Sequence, residues 1–424
     1  MIVIMIFAFF YDLILGTLSL PSFGFSYFFK NKYRASLKPR FGFGFPAVDK
    51  KNKPLIWIHA VSVGETRAIA LLAKMLKEDY TLLISSITET GHEEAKRVLA
   101  FADYHVFLPL DLSFIIKPIL KRVKPDFVII SETDLWFQFL KASKNNGAKI
   151  MLVNGKVSAK SAERLRWVPF FSKRLYDLID FFSVQNKIYR KRFLALGVPS
   201  DKIAVIANLK FDEEFSVFES QELELFKKRV GIDSKDRVLV VGSTHDPEEK
   251  MILKVLKPIF EMHPNLKVLI VPRHPERFDE VEKELILQKV GYCRYSKLEN
   301  CNEKIVLIDA MGLLRKCYSI ATIAIVGGSF NDKIGGHNIL EPLAYKVPVL
   351  FGPYMHSQPD FLEVVLTRQA GVQVKEEWLA EVLNDLLDSS EKRSILGESG
   401  FKLISNFKGS TKLTLNLFKS LFVK

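Results

Sequence analysis

The stretch Leu55–Leu76, LIWIHAVSVGETRAIALLAKML, joins two kinds of sequence pattern. It begins with an unbroken apolar run, which is typical of a strand buried on both faces of a parallel sheet. It ends with Ile69, Leu72 and Leu76 at helical spacing. A strand that leads directly into a helix is half of a βαβ unit and predicts an α/β fold. Glu65 lies between the two elements. It is either a helix cap or a catalytic group, and this stretch alone does not decide between the two roles.

Apolar runs of this kind alternate with helical stretches along the chain, in two series. The predicted strands are LIWIHAV (55–61), TLLISSI (81–87), YHVFLPL (104–110), DFVIIS (126–131), AKIMLVN (148–154), DFFSVQ (180–185) and KIAVIAN (202–208), then RVLVVGS (237–243), LKVLIVPR (266–273), KIVLIDA (304–310), ATIAIVGGS (321–329) and VPVLFGP (347–353). This alternation predicts two Rossmann-like, doubly wound α/β domains that face a cleft. Ligands of such sheets bind at the carboxyl ends of the strands.

The two series divide the chain into segments. We predict a membrane anchor at residues 1–29, an N-terminal domain at 30–212, a linker at 213–236, a C-terminal domain at 237–408 and a C-terminal helix at 409–424. The linker is strongly charged, and we expect it to contain a covering helix. Ser410 is a candidate cap for the last helix, which we expect to pack back on the N-terminal domain.

The first 29 residues are apolar except for one charged residue, Asp12. They lack the positive start and the cleavage site of a secretory signal. Basic residues follow at once, from Lys30 to Arg40, and by the positive-inside rule they belong on the cytoplasmic side. We therefore expect a protein anchored to the cytoplasmic face of the inner membrane, in contact with its phospholipid. The alternative is a buried first helix of a soluble domain.

The composition favours anionic partners. The formal net charge is +13, and no helix-turn-helix, zinc-finger or RNA-binding aromatic signature is present, so we do not expect nucleic acid to be the partner. The three cysteines form no CxxC pair and indicate ordinary buried thiols in a reducing compartment. The eight histidines show no metal-ligand spacing, and we expect neither a metal nor a cofactor.

The ends of the predicted strands carry candidate binding residues. In VGSTHDPEEK, Ser243 and Thr244 are candidate phosphate contacts and could cap the next helix, although a plain capped helix explains them equally well. Arg273, between two prolines in VPRHPERF, suits phosphate or carboxylate, or is a solvated surface arginine. The stretch VGGSFNDKIGGHNILEPLAYKVPVLFGP has two glycine pairs before a helix that we expect to begin at about His337. Asn338 and Glu341 would then share its first turn and face a nucleotide.

Seven motifs in this order resemble those of the bacterial 3-deoxy-D-manno-octulosonic acid (Kdo) transferases. They are WIHAVSVGE, SETDLW, NLKFD, STH, PRHPERF, MGLL and GGSFNDKIGGHNILEP. The resemblance runs from about Lys30 to Pro353 and includes the apolar N-terminal stretch. It implies a glycosyltransferase of the GT-B type that moves Kdo from CMP-Kdo to the lipid A precursor, with inversion and without a metal.

The resemblance also assigns roles to residues at the matching positions. It implies that Glu65 is the general base and that Glu132 and Lys210 stabilise the transition state. It implies CMP contacts at Pro272, Arg273, Met311, Gly312, Leu313, Asn338, Ile339, Leu340 and Glu341. Leu313 departs from the family, which often has an acid there, so only a backbone contact is expected from this residue.

Two other functions remain open from the sequence. The first is another nucleotide-sugar enzyme of the same architecture, such as an N-acetylglucosamine transferase or an epimerase. The second is a membrane-surface binding protein in which Glu65 is only structural. The residues that bind the acceptor are also open: the basic run from Lys141 to Arg166 could contact lipid phosphates, or could be a solvated basic face.

Overall fold

The computed structural model of the chain describes residues 10–17, 34–213, 215, 217–298 and 301–423. The chain divides into two compact units. Unit 1 comprises Met1–Glu213 and Phe407–Lys424, and unit 2 comprises Glu214–Asn406. The segment expected to be a linker contains a helix, Ser220–Arg229, and lies in unit 2.

Unit 1 is built on a seven-stranded parallel sheet with the order β3-β2-β1-β4-β5-β6-β7. Its strands are β1 Leu55–His59, β2 Thr81–Ser86, β3 Tyr104–Phe107, β4 Phe127–Ser131, β5 Lys149–Gly155, β6 Phe181–Val184 and β7 Ile203–Val205. Each coincides with one of the predicted apolar runs to within a few residues at the ends, so the seven strand predictions are confirmed. Because β1 pairs with both β2 and β4, the direction of winding reverses between β1 and β4.

Helices cover both faces of this sheet and explain why its strands are apolar without interruption. They are α1 Arg34–Arg40, α2 Val63–Leu76, α3 Glu89–Val98, α4 Ser113–Val123, α5 Phe137–Asn145, α6 Ala159–Arg166, α7 Pro169–Asp177 and α8 Lys187–Ala195. One core contains Trp57, Phe139 and Phe182, and the other contains Ile69 and Leu72 of α2.

Unit 2 repeats the architecture with a parallel sheet of order β10-β11-β9-β8-β12-β13-β14. Its strands are β8 Arg237–Thr244, β9 Leu266–Pro272, β10 Tyr292–Arg294, β11 Ile305–Leu307, β12 Ile323–Val326, β13 Val349–Phe351 and β14 Val372–Gln373. Its helices are α9 Ser220–Arg229, α10 Glu248–Met262, α11 Phe278–Leu287, α12 Leu314–Ser319, α13 Leu340–Leu343, α14 Pro359–Thr367, α15 Glu376–Asp388 and α16 Ser390–Phe407. The five predicted strands are confirmed. The two short edge strands, β10 and β14, have no long apolar run and were not predicted.

The prediction for the cysteines is wrong for two of the three. Cys293 in β10 and Cys301 form a disulfide with Cα atoms 6.0 Å apart, whereas Cys317 is a buried free thiol. The eight-residue separation gave no sign of this pair, because the chain returns to the edge strand only in the folded unit.

The last helix, α17 Ser410–Phe422, packs in unit 1, where the ring of Phe418 lies 5.9 Å from Tyr80 and 5.1 Å from Phe127. Ser410 does not cap it: the helix follows Gly409, whose φ of +97° suits glycine. The carboxylate of Asp212 instead accepts hydrogen bonds from the backbone N–H groups of Gly409 and Thr411. A residue about 200 positions earlier in the chain is therefore the cap.

The predicted membrane anchor falls mostly outside the described residues. Residues 10–17 are helical and lie on unit 1, where the Tyr11 hydroxyl donates to Asp111 over 2.7 Å. Asp12 accepts hydrogen bonds of 3.0 Å from the Ser113 backbone and from the Gln138 side chain. In the part of the chain that the structure describes, no helix is both long enough and apolar enough to cross a bilayer.

The Asp212 cap yields a stability prediction. We expect Asp212→Ala to lower the free energy of unfolding of unit 1 by about 1–2 kcal/mol, because two N–H groups at the start of α17 lose their acceptor. Urea unfolding followed by fluorescence measures the change, and Asp201→Ala, at an exposed acid of the same unit, is the control. Equal midpoints for the two variants would show that the cap does not hold the helix.

Candidate active site

Glu65 lies where β1 leads into α2, at the reversal point of the first sheet. Ser62 is the N-cap of α2, and its hydroxyl accepts the Glu65 N–H over 3.4 Å. The Glu65 carboxylate in turn accepts the Ser62 hydroxyl and the Val61 N–H, both over 3.0 Å. This reciprocal pattern is close to a capping box. Glu65 therefore does act as a cap.

The surroundings of Glu65 also make it a candidate base. The residue is only 8% exposed. Burial, assisted by the negative charges of Glu132 and Asp134, raises the pKa of its carboxyl to about 7, although the bonds from Val61 and Ser62 oppose the shift. A carboxyl that titrates near neutral pH can accept a proton from a substrate hydroxyl.

Glu132 and Lys210, for which the family resemblance implies a role in stabilising the transition state, lie near this carboxyl. Glu132 follows β4, is 5% exposed and has a left-handed φ of +60°, which is uncommon outside glycine. It forms ion pairs with Lys156 and, over 3.6 Å, with Lys210. A Cβ atom at Gly64 would lie 3.7 Å from the Lys210 amine, so Lys210 also reaches the first turn of α2. The reversal of winding thus brings two carboxylates and two lysines together.

Lys156 and Asp134 belong to this cluster, and sequence reasoning did not assign them a role in it. Lys156 was one of several residues in the basic run from Lys141 to Arg166, but the structure pairs it with Glu132. Another member of that run, Lys144, pairs with Asp180. Burial and the charge of Glu132 raise the pKa of Asp134, which lies two residues after Glu132 in the same motif.

The reversal point of the second sheet, between β8 and β12, carries the glycine-rich loop. Glu248 in the first turn of α10 is 2% exposed, and its carboxylate accepts the N–H groups of Gly328 (2.7 Å), Phe330 (3.0 Å) and His245 (2.9 Å). Gly328 has φ of +68°, and a Cβ atom there would lie 2.9 Å from the His337 ring, so a larger residue does not fit. Glu248 therefore shapes the loop.

Two histidines meet at this loop. The Nε2 atoms of His245 and His337 lie 2.7 Å apart, and the ring of His274 lies 5.3 Å from that of His245. Burial, with the charge of Arg273 and the neighbouring histidines, lowers the pKa of His337 to about 3 and that of His245 to about 4. Both imidazoles are therefore neutral at pH 7. Each lies in a motif that the sequence singled out, but only the fold joins them.

The residues expected to contact CMP lie around the same loop of unit 2. Arg273 is exposed after β9, and its N–H donates to the Thr244 carbonyl over 3.2 Å. Met311 and Gly312 are exposed, and Leu313 is half-buried before α12. The side chains of Ile339 and Leu340 are fully buried, so only their backbone can contact a ligand. Pro272 ends β9.

Two local predictions for unit 2 are wrong: where the helix after the glycine-rich loop begins, and which residues cap α10. The helix after the glycine loop begins at Leu340 instead of His337; Asn338 lies before it and accepts the Leu340 N–H over 3.0 Å. Glu341 does lie in the first turn, but its carboxylate pairs with Arg315 over 3.3 Å. Ser243 and Thr244 do not cap α10, because both belong to β8 and the helix follows Pro247. The Thr244 hydroxyl is buried and has no partner among the described residues.

The side chains of the two sites described above do not form a metal site. Across residues 10–17, 34–213, 215, 217–298 and 301–423, no group of three His, Cys, Asp or Glu residues is arranged to hold a metal ion. The charged groups of the two sites are instead matched by lysines, arginines and backbone N–H groups.

Known sequences identify the family. Residues 35–213 match the family model described as "3-Deoxy-D-manno-octulosonic-acid transferase (kdotransferase)". A 3-deoxy-D-manno-octulosonic acid transferase of Chlamydophila psittaci is 36% identical over 405 residues, which cover 94% of this chain and 92% of the relative. One from Haemophilus influenzae is 34% identical and covers 92% of both chains. The chain belongs to the Kdo transferase family. It is a glycosyltransferase.

Solved structures share the fold of this Kdo transferase. A glycosyltransferase of Rickettsia africae has a TM-score of 0.61 at 17% identity, over 88% of this chain and 100% of its own. A protein of Listeria monocytogenes described as a putative UDP-N-acetylglucosamine 2-epimerase has the same TM-score at 15% identity, over 87% and 97%. At such identities the likeness establishes only the fold of two Rossmann-like domains, as in GT-B proteins.

The pKa of Glu65 yields a pH prediction for the transferase. The hypothesis that Glu65 is the general base requires its carboxyl, with a pKa raised to about 7, to be ionised. On this hypothesis we expect kcat/KM to rise tenfold per pH unit below about pH 7 and to level off above it. Initial rates between pH 5 and 9 test this. Glu65→Asp is the informative variant, because a shorter carboxyl should keep a rising limb at a different midpoint. A flat profile in the parent would rule out a base with this pKa.

Proposed function

We propose that this enzyme transfers Kdo from CMP-Kdo to the lipid A precursor (lipid IVA), with inversion at the anomeric carbon and without a metal or cofactor. The single observation that carries the proposal is the buried Glu65 carboxyl, with a pKa near 7, beside the Glu132–Lys210 ion pair. Both substrates are anionic, which is consistent with the net charge of +13. Relatives that cover most of the chain carry the name of the same transferase.

Unit 2 supplies the groups that the donor needs. Arg273 is exposed after β9 and suits a phosphate, because the guanidinium fork matches two of its oxygens. Neutral imidazoles at His245 and His337 can add uncharged hydrogen bonds. We assign Pro272, Arg273, the segment Met311–Leu313 and the segment Asn338–Glu341 to CMP, with Ile339, Leu340 and Leu313 contributing backbone only.

A direct displacement reaction explains the roles that we propose for Glu65, Glu132 and Lys210 in unit 1. The acceptor hydroxyl oxygen attacks the anomeric carbon of Kdo, the bond from that carbon to the phosphate oxygen breaks, and its electron pair leaves with CMP. Glu65 takes the hydroxyl proton as the new bond forms. Lys210, oriented by Glu132, offers positive charge to the transition state. One displacement with attack opposite the leaving group inverts the configuration.

Transfer by the purified protein tests the function. We expect CMP release and a Kdo-bearing product when CMP-Kdo and lipid A precursor are both present, detected by mass spectrometry. Glu65→Gln should lower kcat by about 10²–10⁴-fold because the base is lost, with CMP affinity unchanged. Glu376→Gln is the matched control, since Glu376 is an exposed acid in the first turn of α15.

Each other outcome has a definite meaning. Full activity in Glu65→Gln would leave Glu65 as a helix cap only. CMP binding without transfer would contradict the proposed donor or acceptor. Stronger competition by UDP-N-acetylglucosamine than by CMP would favour another nucleotide-sugar enzyme of the same fold.

We further propose that the protein works at the cytoplasmic face of the inner membrane. In support, an apolar face of unit 1 is exposed around the helical residues 10–17, where Asp12 binds the start of α4 and the ring of Tyr11 lies 6.5 Å from that of Phe171 in α7. We define this surface as the apolar face: Phe10, Leu13, Ile14, Phe114, Trp167 and Phe170. Trp167 is 81% exposed. Apolar side chains of this kind bury themselves at a lipid interface.

Cations border the apolar face. The Arg174 guanidinium lies 3.8 Å from the centre of the Phe170 ring, and the Lys141 amine lies 5.6 Å from the Phe137 ring. Burial, together with the charges of Lys117 and Arg174, lowers the pKa of Lys141, which indicates that these cations are close together. Cations at the border of an exposed apolar surface suit anionic headgroups.

Vesicle binding tests the role of the apolar face. We expect Trp167→Ala to weaken binding to vesicles that contain anionic phospholipid by about fivefold or more, because an aromatic side chain leaves the interface. Trp378→Ala is the control, since Trp378 is an exposed tryptophan on α15 of unit 2. Co-sedimentation at low salt measures both variants. Equal binding by the two variants would mean that this face does not touch the bilayer.

A further inference from the structure

Lys210 lies on a short 3₁₀ turn, Leu209–Asp212, that follows β7 in unit 1. A lysine amine sits on a flexible four-carbon stem, so the position of its backbone decides where the amine can reach. Here the amine lies 3.6 Å from the Glu132 carboxylate, and a Cβ atom at Gly64 would lie 3.7 Å from it. The contacts that hold the turn therefore bear on the role proposed for Lys210.

Three buried amide side chains meet at this turn. They are Asn154 in β5, Gln185 directly after β6 and Asn208 directly before the turn, and they are 1%, 5% and 5% exposed. Because β5, β6 and β7 are neighbours in the sheet, their carboxyl ends bring the three residues together. An amide withdrawn from water is costly unless it is hydrogen-bonded, so the partners of these side chains show what they hold.

The hydrogen bonds of the three amides close a ring with the backbone of Leu209 and Lys210, which we call the amide ring. Asn154 Oδ1 accepts the Leu209 N–H, and Asn208 Oδ1 accepts the Lys210 N–H, both over 3.0 Å. Gln185 joins the two amides. Its Oε1 accepts Asn208 Nδ2 over 3.1 Å, and its Nε2 donates to the Asn154 carbonyl over 2.8 Å. The first two N–H groups of the turn are thus fixed by side chains.

The backbone of the amide ring adopts conformations that are uncommon outside glycine. Ala207, directly before Asn208, has φ of +95°, and Asn154 has φ of +54°. Left-handed backbone at such residues persists where the surrounding contacts hold it in place. The path of the chain into the turn is therefore imposed by the ring, and local preference would not produce it.

The other side chains of the turn are anchored in unit 1. Leu209 is buried in the core that contains Ile69 and Leu72. The ring of Phe211 stacks on that of Phe407 with centres 4.7 Å apart, and Asp212 caps α17. The fourth side chain, Lys210, extends its amine to Glu132.

The amide ring is also close in sequence to the second lysine of the cluster. Lys156 follows Asn154 by two residues, just as Lys210 follows Asn208 by two residues. The Lys156 amine pairs with the Glu132 carboxylate, and its N–H donates to the Glu132 carbonyl over 3.4 Å. Both lysines that pair with Glu132 therefore follow an asparagine of the same ring.

We propose that the amide ring positions Lys210 for the reaction, by fixing the turn so that the amine stays beside Glu132. The proposal rests on the role in the transition state that is proposed for Lys210 above. Asn154, Gln185 and Asn208 are positioning residues, which act through the lysine. Apolar side chains of similar size would fill the same space but would leave two N–H groups of the turn without acceptors.

Steady-state kinetics of Asn208→Ala test the ring. We expect kcat to fall about 10–100-fold with both KM values unchanged, because a displaced amine weakens the transition state and leaves substrate binding intact. Asn208→Ser should recover most of this loss, since a serine hydroxyl can accept the same N–H. Asn186→Ala is the matched control, because Asn186 caps α8 by accepting the Tyr189 N–H over 2.8 Å. An equal loss of kcat in Asn186→Ala, or no loss in Asn208→Ala, would overturn the proposal.

A double-mutant cycle separates positioning from a general effect on the fold. Lys210→Ala alone tests the lysine and should lower kcat. Adding Asn208→Ala in that background should cause no further loss, because both substitutions act on the same group. If Asn208→Ala lowers kcat by the same factor with and without Lys210, the asparagine acts independently of the lysine and the proposal is wrong.

Lysine labelling tests the ring without any measurement of Kdo transfer. The variant is Gln185→Met, which removes the bridge but keeps both acceptors of the turn, and the probe is acetic anhydride on the full-length protein, read by mass spectrometry. We expect Lys210, whose side chain is 17% exposed, to be acetylated about fivefold faster than in the parent, because local opening frees its amine.

Lys144, which pairs with Asp180 in the same unit, is the internal control and should keep its rate. Faster labelling of Lys210 alone would support the ring even if no Kdo transfer were found. An unchanged rate at Lys210 would overturn the proposal, and so would an equal increase at both lysines, which would mean that the whole unit had loosened.

Discussion

The parallel pairing of β1 with both β2 and β4 is the constraint on which the catalytic chemistry depends. It places the loop that carries Glu65 beside the loop that carries Glu132, although 67 positions separate them in the sequence. The same reversal occurs in unit 2, where β8 pairs with β9 and β12 and brings His245 to the glycine-rich loop. Each unit therefore gathers its polar residues where the winding changes direction.

The two units carry a buried glutamate at corresponding places, with different consequences. Glu65 and Glu248 both lie in the first turn of the helix after β1 and β8, the strands beside which the winding of each sheet reverses. Glu248 accepts three backbone N–H groups and shapes a loop. Glu65 accepts one backbone N–H and one hydroxyl. Burial raises the pKa of both carboxyls, and for Glu65 the charge of Glu132 adds to burial and brings the pKa to about 7. The charge and the donors around each carboxyl therefore differ although both are buried.

The proposed division of labour follows from these surroundings. Unit 2 offers an exposed arginine and neutral imidazoles to an anionic nucleotide, whereas unit 1 offers a buried carboxyl with a pKa of about 7 as the proposed base. The exposed apolar face belongs to unit 1, which suits an acceptor with acyl chains. Our prediction that the two domains face a cleft remains a prediction, as does the membrane anchor at residues 1–29.

The sequence by itself determined the α/β class, twelve of the fourteen strands in the described residues, and the family, because apolar periodicity and local motifs are properties of neighbouring residues. The roles of Glu65, Glu132 and Lys210 remain predictions. Only the tertiary structure decided which distant groups meet. Asp212 as the cap of α17, Lys156 as the partner of Glu132, the pair of His245 and His337, and the Cys293–Cys301 disulfide all join residues whose separation in the sequence carries no signal. The raised pKa of Glu65 belongs to the same class, since burial and neighbouring charge arise only when the chain has folded.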